Sequence, residues 1–558
     1  LAGLALTVDA VAGEVAWLPG ALLDDPAVKA ALVALVTPGA RSLAAHGAKP
    51  LLRSLTALDV DVRTLALDTQ LAAYLLDPAE GRYLLDDVLA RYAALRLPDD
   101  TGGAEAAAAA VGKLDLDGAG VDEVPPRRDA ARRSLAVARL VAPITAALDA
   151  QGSRDLHDTI EIPLVRVLAK MEDVGVGVDA SELRALSDEL IAECARLTKE
   201  IWADAEEEFN VNSTIKLRQI LFDRLGLVPT KKTKTGYSTD AASLEKLAGQ
   251  HPIVDHLLRY REVEKLRSTY GEGLLNEIGA DGRIHATFNQ TVARTGRLSS
   301  DQPNLHNIPV RTTEGRRFRK AFVPAPGCEL LVADYNQIEL RCIAHLAQDP
   351  GLIEAFDEGR DIHTTTAARV FGVADAEVTP AQRAKAKMVS YGLAYGMEAY
   401  GLGQRLNIAT SEAAEILDAY FAAFPNVRAY MERTVREART RGYTETLFGR
   451  RRLIPELLSG NVRIRQAGER QAMNAGIQGL AADIFKVALV RLDRALDDEH
   501  LDSRVILQVH DEVLLEVPPA EHDRATALTV AAMGAAADLD VPLEVNLAFG
   551  PTWADAKG

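Results

Sequence analysis

In VILQVHDEVLLEV (residues 505–517) two apolar, β-branched runs are interrupted at the centre by His510, Asp511 and Glu512, where a short hairpin turn would fall. Asp is a common turn residue, so a solvated turn is one reading of these three. A second reading needs another carboxylate. In ELLVADYNQIELR (residues 329–341) a short apolar strand, 330–333, ends in Asp334, just before helical spacing at Ile338, Cys342 and Leu346. By itself Asp334 reads as a helix N-cap. Paired with Asp511 and Glu512 it can hold hard divalent cations, because Mg²⁺ takes one or two carboxylates plus substrate phosphate oxygens. A third stretch, QRAKAKMVSYGLAYG (residues 382–396), sets Arg383, Lys387, Tyr391 and Tyr395 four apart, one drifting stripe on a helix. Two cations followed by two aromatics suit a nucleoside triphosphate, with the cations on phosphate oxygens and an aromatic under base and sugar. A solvated cationic end followed by a core aromatic pair is the alternative.

These residues require a strand, a hairpin and a helix to be brought together. A chain of 558 residues exceeds one hydrophobic core, so several domains or subdomains are expected. Hydrophobic content of 48% with 26% charged residues is that of a soluble globular protein, and no apolar run is long enough to span a bilayer. The opening LAGLALTVDAVAGEVAWLPG begins with Leu1 and meets Asp9 and Glu14 before any basic segment, so it reads as a fragment's start or a mid-domain cut and not as a signal peptide. Three cysteines, Cys194, Cys328 and Cys342, without a C-x-x-C pair, argue against a disulfide framework or a zinc site and suit a reducing cytosol.

A net charge of −17 argues, as an average, against a polyanionic partner. Basic residues nevertheless concentrate in RTTEGRRFRK (311–320), LFGRRR (447–452) and TKKTKTG (230–236). Residues 1 to about 150 alternate strand-like runs with Ala/Leu helices and include a loop at 97–126, which reads as an α/β domain. Long amphipathic helices follow from about Asp155, broken at FNVNSTIKL, where Asn212 or Ser213 is a suitable N-cap, and at the Lys/Thr/Gly loop. Strands and helices then mix to the end.

The three stretches resemble motifs A, B and C of family A DNA polymerases, the bacterial DNA polymerase I group. The likeness runs from about Asp155 to Gly558 and includes TGRLSSDQPNLHNIPVR (295–311), DIHTTTA (361–367), GYTETLFGRRR (442–452) and ERQAMNAGIQGLAADIFK (469–486). The ordered set, more than any single motif, is specific. Asn336 stands where many members have Ser and Ser390 where many have Asn; both keep a small polar group.

The resemblance implies an α/β multidomain fold: a right hand of thumb, palm and fingers, preceded by a ribonuclease H-like, 3′-to-5′ exonuclease-like domain. It implies boundaries at 1–152 (exonuclease-like), 153–275 (thumb), 276–340 (palm, first part), 341–456 (fingers) and 457–558 (palm, second part). Asp334 and Asp511 match the metal-binding aspartates and Glu512 the adjacent catalytic carboxylate. Arg383, Lys387 and Tyr391 match the residues that hold the incoming triphosphate, with Lys387 also counted as catalytic, and His363 matches a triphosphate contact. Glu339 matches the steric gate against a 2′-hydroxyl, with Gln337 beside it. Tyr395 matches the tyrosine near the template base, while Arg297, Asn307, Arg470, Asn474, Gln478 and His510 match residues along the primer-template minor groove.

The implied cofactor is a pair of Mg²⁺ ions, with Mn²⁺ as a substitute; the implied partners are primer-template DNA and deoxynucleoside triphosphates, and not a membrane. A monomer in the bacterial cytoplasm, associated with the nucleoid, is expected. The amino-terminal likeness is weaker. LALDTQLAAYLL offers Asp68, but PPRRDAARRSLAVARL has Arg132 and Arg133 about where the family's Tyr and Asp stand, and the family's Asp-x-Glu strand is not visible in LAGLALTVDAVAG. An inactive relic is therefore expected, in a large fragment lacking the 5′-nuclease domain of many relatives. A non-catalytic DNA-binding scaffold has no need of both Asp334 and Asp511. Glu339 argues against an RNA polymerase, and the missing carboxylates argue against an exonuclease.

Overall fold

The computed structural model describes residues 1–96, 126–234, 236–309 and 312–556. The loop expected at 97–126 therefore lies almost wholly outside the described residues, as do Thr235 and Arg311 of the basic runs.

The amino-terminal part holds an antiparallel hairpin, Gly3–Asp9 with Glu14–Pro19, and a parallel pair, Leu43–Ala45 with Leu65–Asp68, covered by helices that include the 26-residue Pro126–Gln151. Its α/β character matches the expectation. Asp68 ends its strand as an N-cap. The carboxylate accepts from the backbone nitrogens of Gln70 and Leu71 in the next helix and from those of Gly47 and Ala48 across the sheet, so it satisfies four orphan donors.

Residues 154–276 are mainly helical. Asp179 caps Ala180–Ala205 by accepting from the nitrogens of Ser181 and Glu182, and Ser213, one of the two candidates, caps Thr214–Arg218. The 26-residue Ala180–Ala205 helix packs along Pro252–Leu266, burying Leu183, Leu186, Leu190 and Leu197 on one stripe against Leu257 and Tyr260.

One four-stranded antiparallel sheet dominates the remainder. Its order is Arg504–Val509, Glu512–Val517, Glu329–Tyr335, Val545–Gly550. Leu330 to Ala333 are almost completely buried, which explains an unbroken apolar run where a half-exposed strand would alternate. The strand expected at 330–333 extends to Tyr335, because both neighbouring strands pair with it as far as Asp334 or beyond. Asp334 thus lies inside the sheet's last rung and does not cap a helix.

The 37-residue helix Val462–Asp498, about 55 Å long at 1.5 Å per residue, is buried nearly all round in its second half. Gly479 lets it pass close to its neighbour, since a Cβ there would stand 2.7 Å from Thr446 Cγ2. A buried ionic knot fastens this helix to residues before the sheet. Glu161 receives Arg450 Nη2 and Lys486 Nζ at 2.5 and 2.7 Å, and Arg450 Nε reaches Asp483 at 2.7 Å. Burial alone would raise the Glu161 pKa, but Lys486 and Arg450 hold it down to about 2.

Candidate active site

The strand Glu329–Tyr335 and the hairpin of Arg504–Val509 and Glu512–Val517 bring the two aspartates to one end of the sheet. His510 and Asp511 form the two-residue turn, and His510 takes the left-handed conformation at φ 56°. Two hydrogen bonds brace that turn. Tyr335 N donates to the Asp511 carbonyl at 3.2 Å, tying the turn to the Asp334 strand, and Gln508 Nε2 donates to the His510 carbonyl at 2.8 Å. Asp334 and Asp511 both line a cleft of about 610 Å³.

The opposite wall is the helix Pro380–Ala394. Thr379 and Gln382 form a capping box and Pro380 opens the first turn, so the helix begins where the sequence places it. Arg383, Lys387 and Tyr391 line the cleft from one face, as their spacing requires. Tyr395 lies just past the last helical residue and lines the cleft too. The Arg383 guanidinium pairs with Asp361 at 2.7 Å, and Asp361 caps the helix Ile362–Phe371 that carries His363. Burial would raise the Asp361 carboxyl; Arg383 and the His363 backbone N–H together hold it below the usual range.

His363 is buried, with its ring 5.8 Å from that of Tyr391. Burial first, and the Lys387 ammonium second, lower its pKa to about 4, so the imidazole is neutral near pH 7. Its Nδ1 is buried without a hydrogen-bond partner among the described residues. A buried polar atom left unpaired is costly, which suits a site completed by a ligand.

Glu339 is only 6% exposed. Arg297 Nη2 donates to its Oε1, as does the Tyr395 hydroxyl at 3.3 Å. Tyr395, one turn beyond Tyr391, thus reaches the carboxylate. Burial, then the negative charge of Glu339, raises the Tyr395 phenol. Gln337 precedes the helix Ile338–Ala347 in the left-handed conformation, φ 59°, and lines the cleft. Burial, then Arg297, lowers the pKa of His510, which lines the cleft as well.

Glu512 does not line this cleft. It is the first residue of its strand, not part of the turn, and is buried outside the cleft lining, where Trp553 donates to it and Arg319 lies near. Asn307, Arg470, Asn474 and Gln478 also lie outside the lining. The last three share one stripe of the long helix at spacing four. Arg470 pairs with Glu398 at 3.1 Å, and Asn474 packs against Gly396, so the stripe faces the turn that follows Tyr395. The Asn307 carbonyl accepts from the Tyr270 hydroxyl.

The polar lining residues that sequence reading missed include Gln508, Asn546 and Lys486. Gln508 lies in the strand two residues before His510 of the turn, a signal that period-two reading could have used. Asn546 pairs with Asp334 across the sheet, which no local pattern reveals. Lys486 interrupts an apolar helix face, and a buried cation needs a partner, but that partner lies 325 residues away.

The carboxylates of Asp334 and Asp511 stand at the sheet end, and among the described residues no group of three or more His, Cys, Asp or Glu is placed to hold a metal ion. Two carboxylates with room for phosphate oxygens fit Mg²⁺ or Mn²⁺ and do not fit a closed zinc site.

A family model described as DNA polymerase family A matches residues 180–555. The chain is 50% identical over 423 residues to the DNA polymerase I of Mycobacterium tuberculosis, covering 75% of this chain and 47% of that protein. It is 48% identical over 428 residues to the DNA polymerase I of Geobacillus stearothermophilus, covering 76% and 49%. The chain thus spans about half the length of the curated relatives it matches. A solved structure described as the POL domain of Pol1 from M. smegmatis in complex with DNA primer-template and dNTP superposes with a TM-score of 0.89 at 42% identity, covering 98% of this chain and 91% of that one. With the motif A and motif C aspartates and the motif B stripe converging on one cleft, the chain belongs to DNA polymerase family A.

Proposed function

We propose that this chain is a DNA-templated DNA polymerase that adds deoxynucleotides to a primer 3′ end, in repair and replication gap filling. The observation that carries the reading is the single cleft in which Asp334 and Asp511 face Arg383, Lys387 and Tyr391. Phosphoryl transfer asks little covalent chemistry of a protein and much positioning and charge neutralisation, which is what these groups supply. Asp334 and Asp511 would hold two Mg²⁺ ions, or Mn²⁺ in their place, whose chemistry when bound is to activate the primer hydroxyl and stabilise the leaving pyrophosphate.

Lys387 and Arg383 neutralise the triphosphate, with Arg383 exchanging its partner Asp361 for phosphate oxygens. Neutral His363 offers its unpaired nitrogen to the same group. Glu339, held by Arg297 and Tyr395, closes the space beneath the sugar, with Gln337 beside it. Arg297, His510 and the stripe of Arg470, Asn474 and Gln478, with Asn307, follow the primer-template minor groove. In this reading residues 153–275 form the thumb, 276–340 and 457–558 the palm, and 341–456 the fingers. The protein works as a monomer in the bacterial cytoplasm on nucleoid DNA; among the described residues no helix is long and apolar enough to cross a membrane.

Extension of a labelled primer on a template, with and without Mg²⁺, tests the reading. Mg²⁺-dependent elongation supports it, and template-bound protein without elongation favours a scaffold.

Residues 1–152 serve as an exonuclease-like brace without proofreading. The supporting observation is that the Asp68 carboxylate is spent on four backbone N–H groups. A 3′-labelled single strand incubated with Mg²⁺ should keep its length; shortening in a preparation free of contaminating nuclease contradicts this assignment.

Glu339→Ala should raise ribonucleotide use relative to deoxynucleotide use by on the order of tenfold, about 1.4 kcal/mol, because the side chain fills the space beneath the sugar. The ratio of the two kcat/KM values checks it, and an unchanged ratio moves the gate elsewhere.

A further inference from the structure

Asp334 and Glu512 are directly opposite on neighbouring strands, so their side chains leave the sheet on one face with Cβ atoms ~5 Å apart. Asp334 lines the cleft, whereas Glu512 does not. The group that separates them comes from the last residues of the chain. The Trp553 indole N–H donates to Glu512 Oε1 at 2.5 Å. The Arg319 guanidinium stacks 4.0 Å from the centre of the Trp553 ring, and its Nη1 stands 3.8 Å from the same oxygen. All three side chains are no more than 3% exposed. Trp553 is itself anchored, with its backbone nitrogen on the Phe322 carbonyl at 3.0 Å and its ring edge-on to that of Phe322. Among the described residues Arg319 Nε and Nη1 are buried without a hydrogen-bond partner, so the cation acts on Glu512 through charge and through the indole it stacks on.

We propose that Trp553 and Arg319 are positioning residues that hook the Glu512 carboxylate away from Asp334 and Asp511, so that the divalent ions are held by two protein carboxylates instead of three. The inference rests on the reading of Asp334 and Asp511 as metal ligands. Its physical reason is twofold. Like charges directly opposite in a sheet repel, and a third carboxylate at the metals would occupy positions that substrate phosphate oxygens need. The hook keeps Glu512 out of the way.

Binding of Mn²⁺ to the DNA-free protein, with free Mn²⁺ read by electron paramagnetic resonance, tests the hook without relying on activity. Wild type and Glu512→Gln should bind alike. Trp553→Phe keeps the ring over Arg319 but loses the N–H, and should bind several-fold tighter as Glu512 joins the site. Trp553→Phe combined with Glu512→Gln should return to the wild-type affinity. An unchanged Trp553→Phe, or a tightening that survives in the double variant, overturns the proposal. Should Trp553→Phe fail to fold, Glu512→Gln decides alone: unchanged affinity supports the hook, and a several-fold loss makes Glu512 a ligand and overturns it. Asp511→Ala in the same titration should lose Mn²⁺ binding; retained binding there removes the ligand assignment itself and the hook with it, a failure distinct from the others.

Discussion

Asp334→Ala and Asp511→Ala should each lower single-nucleotide incorporation by about a thousandfold or more, the several kcal/mol that charge stabilisation by metal ions contributes to a transition state. Both aspartates stand at the rim of the sheet and line the cleft, so neither substitution opens a hole in the core. Primer-template affinity should change little, because phosphate contacts made by basic side chains elsewhere dominate binding to nucleic acid. The pattern to look for is therefore a loss in kcat with an unaltered DNA dissociation constant, measured by rapid quench and by fluorescence anisotropy on the same preparations. Near wild-type incorporation by either variant removes that residue from the metal site. Equal losses of DNA binding and turnover show a folding defect in place of a chemical one.

Tyr391 carries the second large effect. In a closed site an incoming deoxynucleotide can use its 3′-hydroxyl to satisfy one of its own phosphate oxygens, and a dideoxynucleotide leaves that oxygen unpaired. A desolvated, unsatisfied charged acceptor costs about 1–3 kcal/mol, roughly a ten- to hundredfold penalty against the terminator. Tyr391 projects into the cleft one turn beyond Lys387 on the same helical face, where its phenol can donate to the oxygen left unpaired. Dideoxynucleotides should accordingly be accepted readily, and Tyr391→Phe should discriminate against them with little loss of normal extension. A different role for the hydroxyl is to help brace the gate at Glu339, which also accepts from Arg297 and Tyr395. If bracing were its main task, Tyr391→Phe would alter ribonucleotide exclusion more than terminator use. The two selectivity ratios, taken on both proteins, separate these outcomes.

The parts of this site that sequence reading recovers are those whose chemistry is local. Arg383, Lys387 and Tyr391 share a face because a helix repeats every 3.6 residues, and Asp511 sits in a turn because two β-branched runs flank it. Asp334 was legible as the end of an apolar strand. What stayed hidden is non-local. The partner of Glu512 is a tryptophan 41 residues further on, and Asp334 meets Asn546 only once the sheet has formed. The carboxylate of Asp68 resembles a catalytic remnant in sequence, whereas its four backbone donors, two of them some 20 residues earlier, reveal a cap. Tyr395 ends up on Glu339 because the helix stops at Ala394, a boundary that spacing alone leaves open by a residue or two.

The most direct test of templated synthesis is single-nucleotide incorporation on four primer-templates that differ only in the first unpaired template base, each offered the four deoxynucleotides separately with Mg²⁺. The account requires the complementary nucleotide to be added efficiently in every case and the other three poorly, with the preference following the template when the base is changed. Addition that ignores the template base, or none at all from a protein that binds the primer-template, would contradict it.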